Sequence, residues 1–254
     1  MTSDTAHDQR IITQFTRWAA PFAALPVHAE ADGMARTLSA VDAQPGDRVL
    51  DVACGPGIVA CALAAQGARV TGIDLTPAMI AEAKARQSAE GLAGLDWQVG
   101  DATALPFADE TFDRVVTRYS FHHLPEPVAA LREMRRVCRA GGRVVVIDAT
   151  PAADTQVAYD RMETLRDPSH TSALTLEQLR GIGRETGLVE AVIDHYALEA
   201  QLATLADARD MAALEAMFDE DISGGQDRIG VGAWRAGDGI RFRFPVSIIA
   251  WRRE

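Results

Sequence analysis

The sequence predicts an α/β fold built around a parallel sheet, and three observations predict it. From Asp47 onward, apolar β-branched runs alternate with helical patterns, the signature of repeated βαβ units. The stretch "VLDVACGPGIVA", residues 49–60, places Gly55, Gly57 and Ala60 as G-x-G-x-x-G/A directly after an apolar run, where a tight turn leads from strand into helix. The chain has 254 residues and is 48% hydrophobic, enough to bury one large core.

Each element follows from its own stretch of sequence. The N-terminal "QRIITQFTRWAAPFAALPVHAEADGMARTLSAV" reads as two helices broken near Pro26. "RVLDVA", "ARVTGID", "LDWQVG", "FDRVVTR" and "GGRVVVIDAT" read as five strands by their β-branched content. Helical patterns separate them. "IVACALAAQG" is one; "TPAMIAEAKARQSAEG" has Thr76 placed as N-cap and Pro77 in the first helical position; "PEPVAALREMRRVCRAGG" has Gly141 as its stop. The link from the third to the fourth strand, residues 100–110, is a loop. After Thr150 the pattern loosens: "TLEQLRGIGRETGL" is one more helix, "VEAVIDHYAL" a sixth strand and "GIRFRFPVSIIAWRR" a seventh, with a helical insertion over 207–220.

Charge narrows the partners. Lys and Arg number 25 against 36 Asp and Glu, a net charge of −11 that opposes non-specific binding to nucleic acid or to an anionic membrane. Arg132, Arg135, Arg136 and Arg139 share one helix face, opposite Leu131, Met134, Val137 and Cys138; with that net charge the basic face is a solvated surface and not a nucleic-acid patch. No segment approaches the roughly 18 uninterrupted apolar residues of a membrane span, and "MTSDTAHDQR" lacks the basic start and apolar core of a secretory leader. A cytoplasmic protein with a small-molecule partner is expected. Cys54, Cys61 and Cys138 have no zinc-ligand spacing, so reduced thiols and no metal are expected.

The acids carry the chemistry. Asp51, within the first strand, would repel a pyrophosphate held by the glycine turn. It suits the ammonium of an amino-acid tail, whose carboxylate the following helix N-terminus favours, and that describes the methionyl part of S-adenosylmethionine. Asp74 ends the second strand and can accept from both ribose hydroxyls, which fits NAD equally well. Asp101 follows the third strand, where it can accept from an adenine amino group while the Ala102 amide donates to the ring. Acids in register at three successive strand ends are not explained as turns.

With these residues the chain resembles the class I S-adenosylmethionine-dependent methyltransferases, of the type that includes the ubiquinone and menaquinone C-methyltransferases. "VLDVACGPG", "GIDLTPAMI", "GDATALPFADETFDRVVTRYSFHHLPEP" and "LREMRRVCRAGGRVVVID" carry the likeness across about the middle hundred residues. The resemblance implies a Rossmann-like, mostly parallel seven-stranded sheet with an antiparallel last strand, and helices on both faces. It also implies an N-terminal helical cap over residues 1–45, a cofactor-binding core over 46–150, and a lid insertion with the completion of the same domain over 151–254. Carried over by position, Asp51, Gly55, Gly57, Asp74, Leu75, Asp101, Ala102 and Arg118 would bind the cofactor. His122-His123 stands where ubiquinone-type members have an Arg-Asn pair, which argues against a quinone acceptor. "RYSFHH" in place of an "NPPY"-like motif disfavours base N-methylation.

Methyl transfer is an in-line displacement that gains most from alignment in a water-poor pocket. For an acidic acceptor, His122 or His123 could serve as base. The alternative for the pair is packing at the opening of a helix. Acceptor contacts are expected from Phe15, Trp18 and Phe22, spaced i, i+3 and i+7, and from His28, Tyr119 and His170. Two other functions remain open on these residues: an enzyme that holds the cofactor without transferring methyl, and a non-catalytic binding protein.

Overall fold

Alternation in sequence becomes alternation in space. The computed structural model describes residues 3–24 and 30–254, with side chains over 6–19 and 30–254. Helices α1 (Ser3–Ala24) and α2 (Ala31–Val41) precede the sheet. The break expected near Pro26 lies outside the described residues. The alternating half then runs β1 (Arg48–Val52), α3 (Ile58–Ala65), β2 (Arg69–Asp74), α4 (Pro77–Glu90), β3 (Leu95–Val99), β4 (Phe112–Arg118), α5 (Pro127–Val137) and β5 (Cys138–Ala149). The second half runs α6 (Gln156–Arg166), α7 (Leu176–Glu185), β6 (Val189–Gln201), α8 (Leu202–Leu205), α9 (Ala208–Gly224), β7 (Trp234–Ala236) and β8 (Gly239–Arg252).

The sheet order is β3-β2-β1-β4-β5-β8-β6. Its first five strands are parallel, and β8 lies antiparallel between β5 and β6. This is the expected seven-strand path with an antiparallel last strand. The short β7 pairs with the start of β8 and adds an eighth strand, three residues being too few to leave a periodic signal. The order reverses between β1 and β4, so a crevice opens at the carboxyl ends of these strands.

Gly141 does not stop the helix as expected. Helix α5 ends at Val137, because the backbone from Cys138 onward finds sheet partners: Cys138 pairs with Phe112, and the Gly141 amide donates to the Arg253 carbonyl. Gly141 instead forms a bend within β5 at φ +72°. Thr76 and Pro77 do open α4, although the Thr76 hydroxyl is buried without a partner and Asp74 receives the Thr76 amide.

The core lies on both sheet faces. On one, Val49, Val70, Val116 and Ile248 pack beneath α2 and α3; on the other, Leu50, Val115, Val146 and Trp251 meet Leu131, Met134 and Val137 of α5. The basic face of α5 is solvated but cross-linked: Arg132 pairs with Glu185 and Arg136 with Glu133 and Asp109, while Arg139, expected on the same helix face, falls in β5 and pairs with Asp113. A third apolar cluster, with Tyr159, Met162, Phe218 and Phe242, joins α6 and α9 to the start of β8. Among the described residues no helix is long and apolar enough to cross a membrane, and no side-chain cluster suits a metal ion.

Candidate functional site

The turn after β1 is built from left-handed backbone, with Ala53 at φ 52°, Gly55 at 52° and Gly57 at 76°. A Cβ on Gly57 would come within 2.7 Å of Trp97, so glycine there lets α3 pack tightly against its neighbours. A Cβ on Gly55 would meet nothing within 4 Å and would project into a cavity of about 400 Å³. Of the residues expected at the cofactor, Asp51, Gly55, Asp74, Leu75, Asp101, Ala102 and Arg118 line this cavity. Gly57 does not; it packs behind the turn.

Asp51 is 2% exposed, and its Oδ2 has no hydrogen-bond partner. Burial pushes its carboxyl up to about 7; the Arg118 guanidinium and the Ala60 amide oppose that shift, and Asp74 adds to it. A buried carboxylate oxygen facing a cavity without a partner is the place for a cationic donor. Asp74 accepts from the Gly55 amide (2.9 Å) and the Thr76 amide (2.8 Å), which hold its carboxylate at the strand end. Asp101 is fixed in the same way by the amide and hydroxyl of Thr103, each at 2.8 Å. The donor set is therefore acidic at both ends, with one guanidinium, Arg118, beside Asp51. It fits a ligand bearing an ammonium, a diol and an adenine, and leaves no place for a pyrophosphate.

A second cavity, of about 90 Å³, adjoins the first. Phe15, Tyr119 and His123 line both and so mark the junction between them. Tyr119 reaches it through a left-handed residue at φ 57°, its hydroxyl 2.6 Å from that of Tyr196. Beyond β4 the chain makes a single 3₁₀ turn, Phe121–His123, which turns the two imidazoles to different tasks. His122 Nδ1 lies 2.6 Å from Asp148 Oδ1 at the end of β5, and Asp148 also accepts the Phe121 and Ala149 amides at 2.7 Å. Burial works against the imidazolium of His122, but the charge and hydrogen bond of Asp148 outweigh it and hold His122 above its usual value. Paired in this way, a neutral His122 carries its proton on Nδ1 and its lone pair on Nε2. His123 is the opposite case: burial and the neighbouring His122 push it down to about 3, its Nδ1 resting 3.2 Å from both the carbonyl and the hydroxyl of Ser169.

Helix α1 covers both cavities. Asp8, Ile11 and Phe15 face the first; Gln14, Phe15 and Trp18 face the second. It is tied down by His7 Nε2, 2.8 Å from the His123 carbonyl, and by the Arg17–Asp207 ion pair at 2.8 Å. Of the expected acceptor contacts, Phe15, Trp18 and Tyr119 line the second cavity, while the Phe22 side chain and His28 lie outside the described residues. His170 borders neither cavity. Its Nε2 is 2.8 Å from Asp160, and its ring packs behind His122 at a centroid distance of 5.6 Å. Sequence reading missed Asp148 and Glu163 on the second cavity's wall, where Arg166 and Asp167 also stand, from the same "RDPSH" stretch of the expected lid insertion that carries His170. Asp148 could have been found from "VIDAT", where a fifth strand also ends on an acid.

A family model described as a methyltransferase domain matches residues 50–146. The chain is 44% identical over 116 residues to a demethylmenaquinone methyltransferase of Beutenbergia cavernae, a match spanning 45% of this chain and 46% of that one, so it aligns with about half the length of that relative. It is 30% identical over 170 residues to the uncharacterized methyltransferase YcgJ of Bacillus subtilis, spanning 65% of this chain and 66% of that one. The crystal structure of YcgJ superposes with a TM-score of 0.79 at 23% identity, over 88% of this chain and 99% of that one. The [4+2]-cyclase SpnF shares the fold with a TM-score of 0.64 at 22% identity, over 87% and 80%.

Proposed function

Because residues 50–146 are a methyltransferase domain carried on the class I S-adenosylmethionine-dependent fold, we propose that this chain transfers the methyl group of S-adenosylmethionine to a small-molecule acceptor. The observation that carries the proposal is Asp51: a buried carboxylate with an unpartnered oxygen, facing a cavity beside a glycine turn. Asp51 would receive the ammonium of the amino-acid tail, Asp74 the ribose diol, and Asp101 with the Ala102 amide the adenine, while Leu75 packs on the ring. When bound, the cofactor supplies an electrophilic methyl on a sulfonium. His123, kept neutral at the junction, sets no like charge against that sulfonium.

The acceptor would occupy the second cavity. His122 is the base of the pair, because Asp148 orients its ring and stabilises the imidazolium that forms; Asp148 is a positioning residue. His123 lacks a carboxylate partner on Nδ1 and contributes shape and neutrality instead. Helix α1 covers both cavities, and alignment of donor and acceptor beneath it would supply much of the rate.

Calorimetry tests the cofactor reading: S-adenosylmethionine and S-adenosylhomocysteine should bind and NAD(H) should not, and the reverse result sinks it. Asp74→Ala should weaken binding by about 1.5–3 kcal/mol through loss of charge-assisted hydrogen bonds to the diol. With an acceptor in hand, His122→Ala should lower turnover roughly 10²- to 10⁴-fold at nearly constant cofactor affinity. In Asp148→Asn the acidic limb of the pH–rate profile should move to lower pH, since the group that holds His122 above its usual value is gone. An unmoved limb would remove Asp148 from the mechanism.

A further inference from the structure

We propose that the acceptor is an uncharged molecule of about one ring bearing an ionisable hydroxyl, of phenol or enol type, and that its oxygen is the atom methylated; this rests on the function proposed above. Size is the first argument. The second cavity holds about 90 Å³, less than the roughly 150 Å³ of an engineered apolar cavity that takes up benzene. A single ring is therefore the most the second cavity can take, and only with one edge reaching through the Phe15, Tyr119 and His123 junction toward the first cavity.

Charge is the second argument. Three carboxylates, Asp148, Glu163 and Asp167, stand on the wall against one guanidinium, Arg166, and the His122 imidazole paired with Asp148, which leaves the wall net acidic even when His122 is protonated. Arg166 is already committed: its Nε and Nη2 donate to the two Glu163 oxygens at 2.9 and 2.7 Å. Asp167 is held by the amide and hydroxyl of Ser169 at 2.8 and 2.6 Å. Buried charges are poorly screened, so an acceptor bearing a carboxylate or phosphate would enter a pocket that repels it. An amine would be drawn in, but the same field would keep it as ammonium, which has no lone pair to give.

The base is the third argument. A hydroxyl has a proton to lose, and His122, with Asp148 behind it, is equipped to take one. As the O–H proton passes to His122 Nε2, the oxygen lone pair forms the bond to the methyl carbon and the carbon–sulfur bond breaks with its pair remaining on sulfur. The positive charge ends on His122, next to Asp148, and the proton leaves to solvent after the product. No free oxyanion needs to form in an acidic pocket. The wall completes the match: Phe15, Trp18, Tyr159 and Phe244 present rings to a planar ligand, and the Trp18 Nε1–H is buried without a partner.

The test is calorimetry on the intact protein saturated with S-adenosylhomocysteine, titrated with three single-ring probes: catechol, 4-hydroxybenzoate and tyramine. Catechol should bind at least tenfold more tightly than 4-hydroxybenzoate, and Asp167→Asn should narrow that ratio by threefold or more. Tyramine should bind, yet give no N-methylated product with S-adenosylmethionine. Equal binding of catechol and 4-hydroxybenzoate, or methylation of the tyramine nitrogen, overturns the proposal. So does the failure of every ring to bind while S-adenosylhomocysteine binds normally. Failure of S-adenosylhomocysteine to bind overturns the function itself, and this inference with it.

Discussion

Asp51 shows what a single buried carboxyl costs a fold. Between about pH 4 and 7 the folded protein holds a proton on Asp51 that the unfolded chain has released, so stability falls as pH rises through that window and levels off above it. Asp51→Asn removes the cost. The variant should melt higher than the parent at pH 8, by about 1–3 kcal/mol of added stability, and lose most of its affinity for S-adenosylhomocysteine. In the parent, affinity should rise up to about tenfold from pH 6 to pH 8 as the carboxylate form becomes dominant. A flat profile, or an Asn variant that melts lower and binds as before, would falsify this role for Asp51. At this scale the lining of the first cavity was legible in sequence, because Asp51, Asp74 and Asp101 fall at or just past the carboxyl ends of β1, β2 and β3. The acceptor side was not. His122 and His123 are adjacent in sequence yet face different partners, and only the fold brings Asp148 to one and Ser169 to the other, residues 26 and 46 positions away.

Helix α5 shows how an element reaches beyond its own packing. Its apolar face was plain from spacing, and its arginine face looked like mere solvation. Arg136 instead donates to the Leu105 and Phe107 carbonyls and to Asp109, tying the loop that follows Asp101 to the helix. Glu133 completes the tie by accepting the Leu105 amide at 2.9 Å. Arg136→Ala should therefore free residues 103–110, speed their amide exchange and weaken cofactor binding several-fold, with the sheet amides unaffected. A loop that exchanges as slowly in the variant as in the parent would refute the tie. Helix α7 was equally readable, for Thr175 and Gln178 form a reciprocal capping box. Helix α6 was not assigned from sequence: Tyr159 and Met162 bury against α9 and β8, partners that local spacing cannot announce. The early start of β5 escaped for the same reason, since Arg253 supplies the acceptor for Gly141 from the far end of the chain.

Across the whole molecule the parallel half was read strand by strand, because each βαβ unit is local, while the antiparallel half depends on pairings such as Val189 with Arg252 that span long stretches of chain. The two halves meet under α1. That helix is held by His7 at its start and Arg17 further along, with no strand beneath it belonging to its own unit. Its amides should exchange well before those of β1, β4 and β5, and slow markedly when S-adenosylhomocysteine binds. Exchange as slow as the sheet's in the free protein would show that α1 does not open. The Phe15, Tyr119 and His123 junction gives this motion a kinetic meaning. Both chambers share one roof, so on the proposed function donor, acceptor and both products would pass the same door. A single opening event would then set the pace of every exchange with solvent. A reactive methyl group left waiting without an acceptor would be guarded from hydrolysis for as long as that door stayed shut, and the protection and the turnover limit would be two readings of one rate.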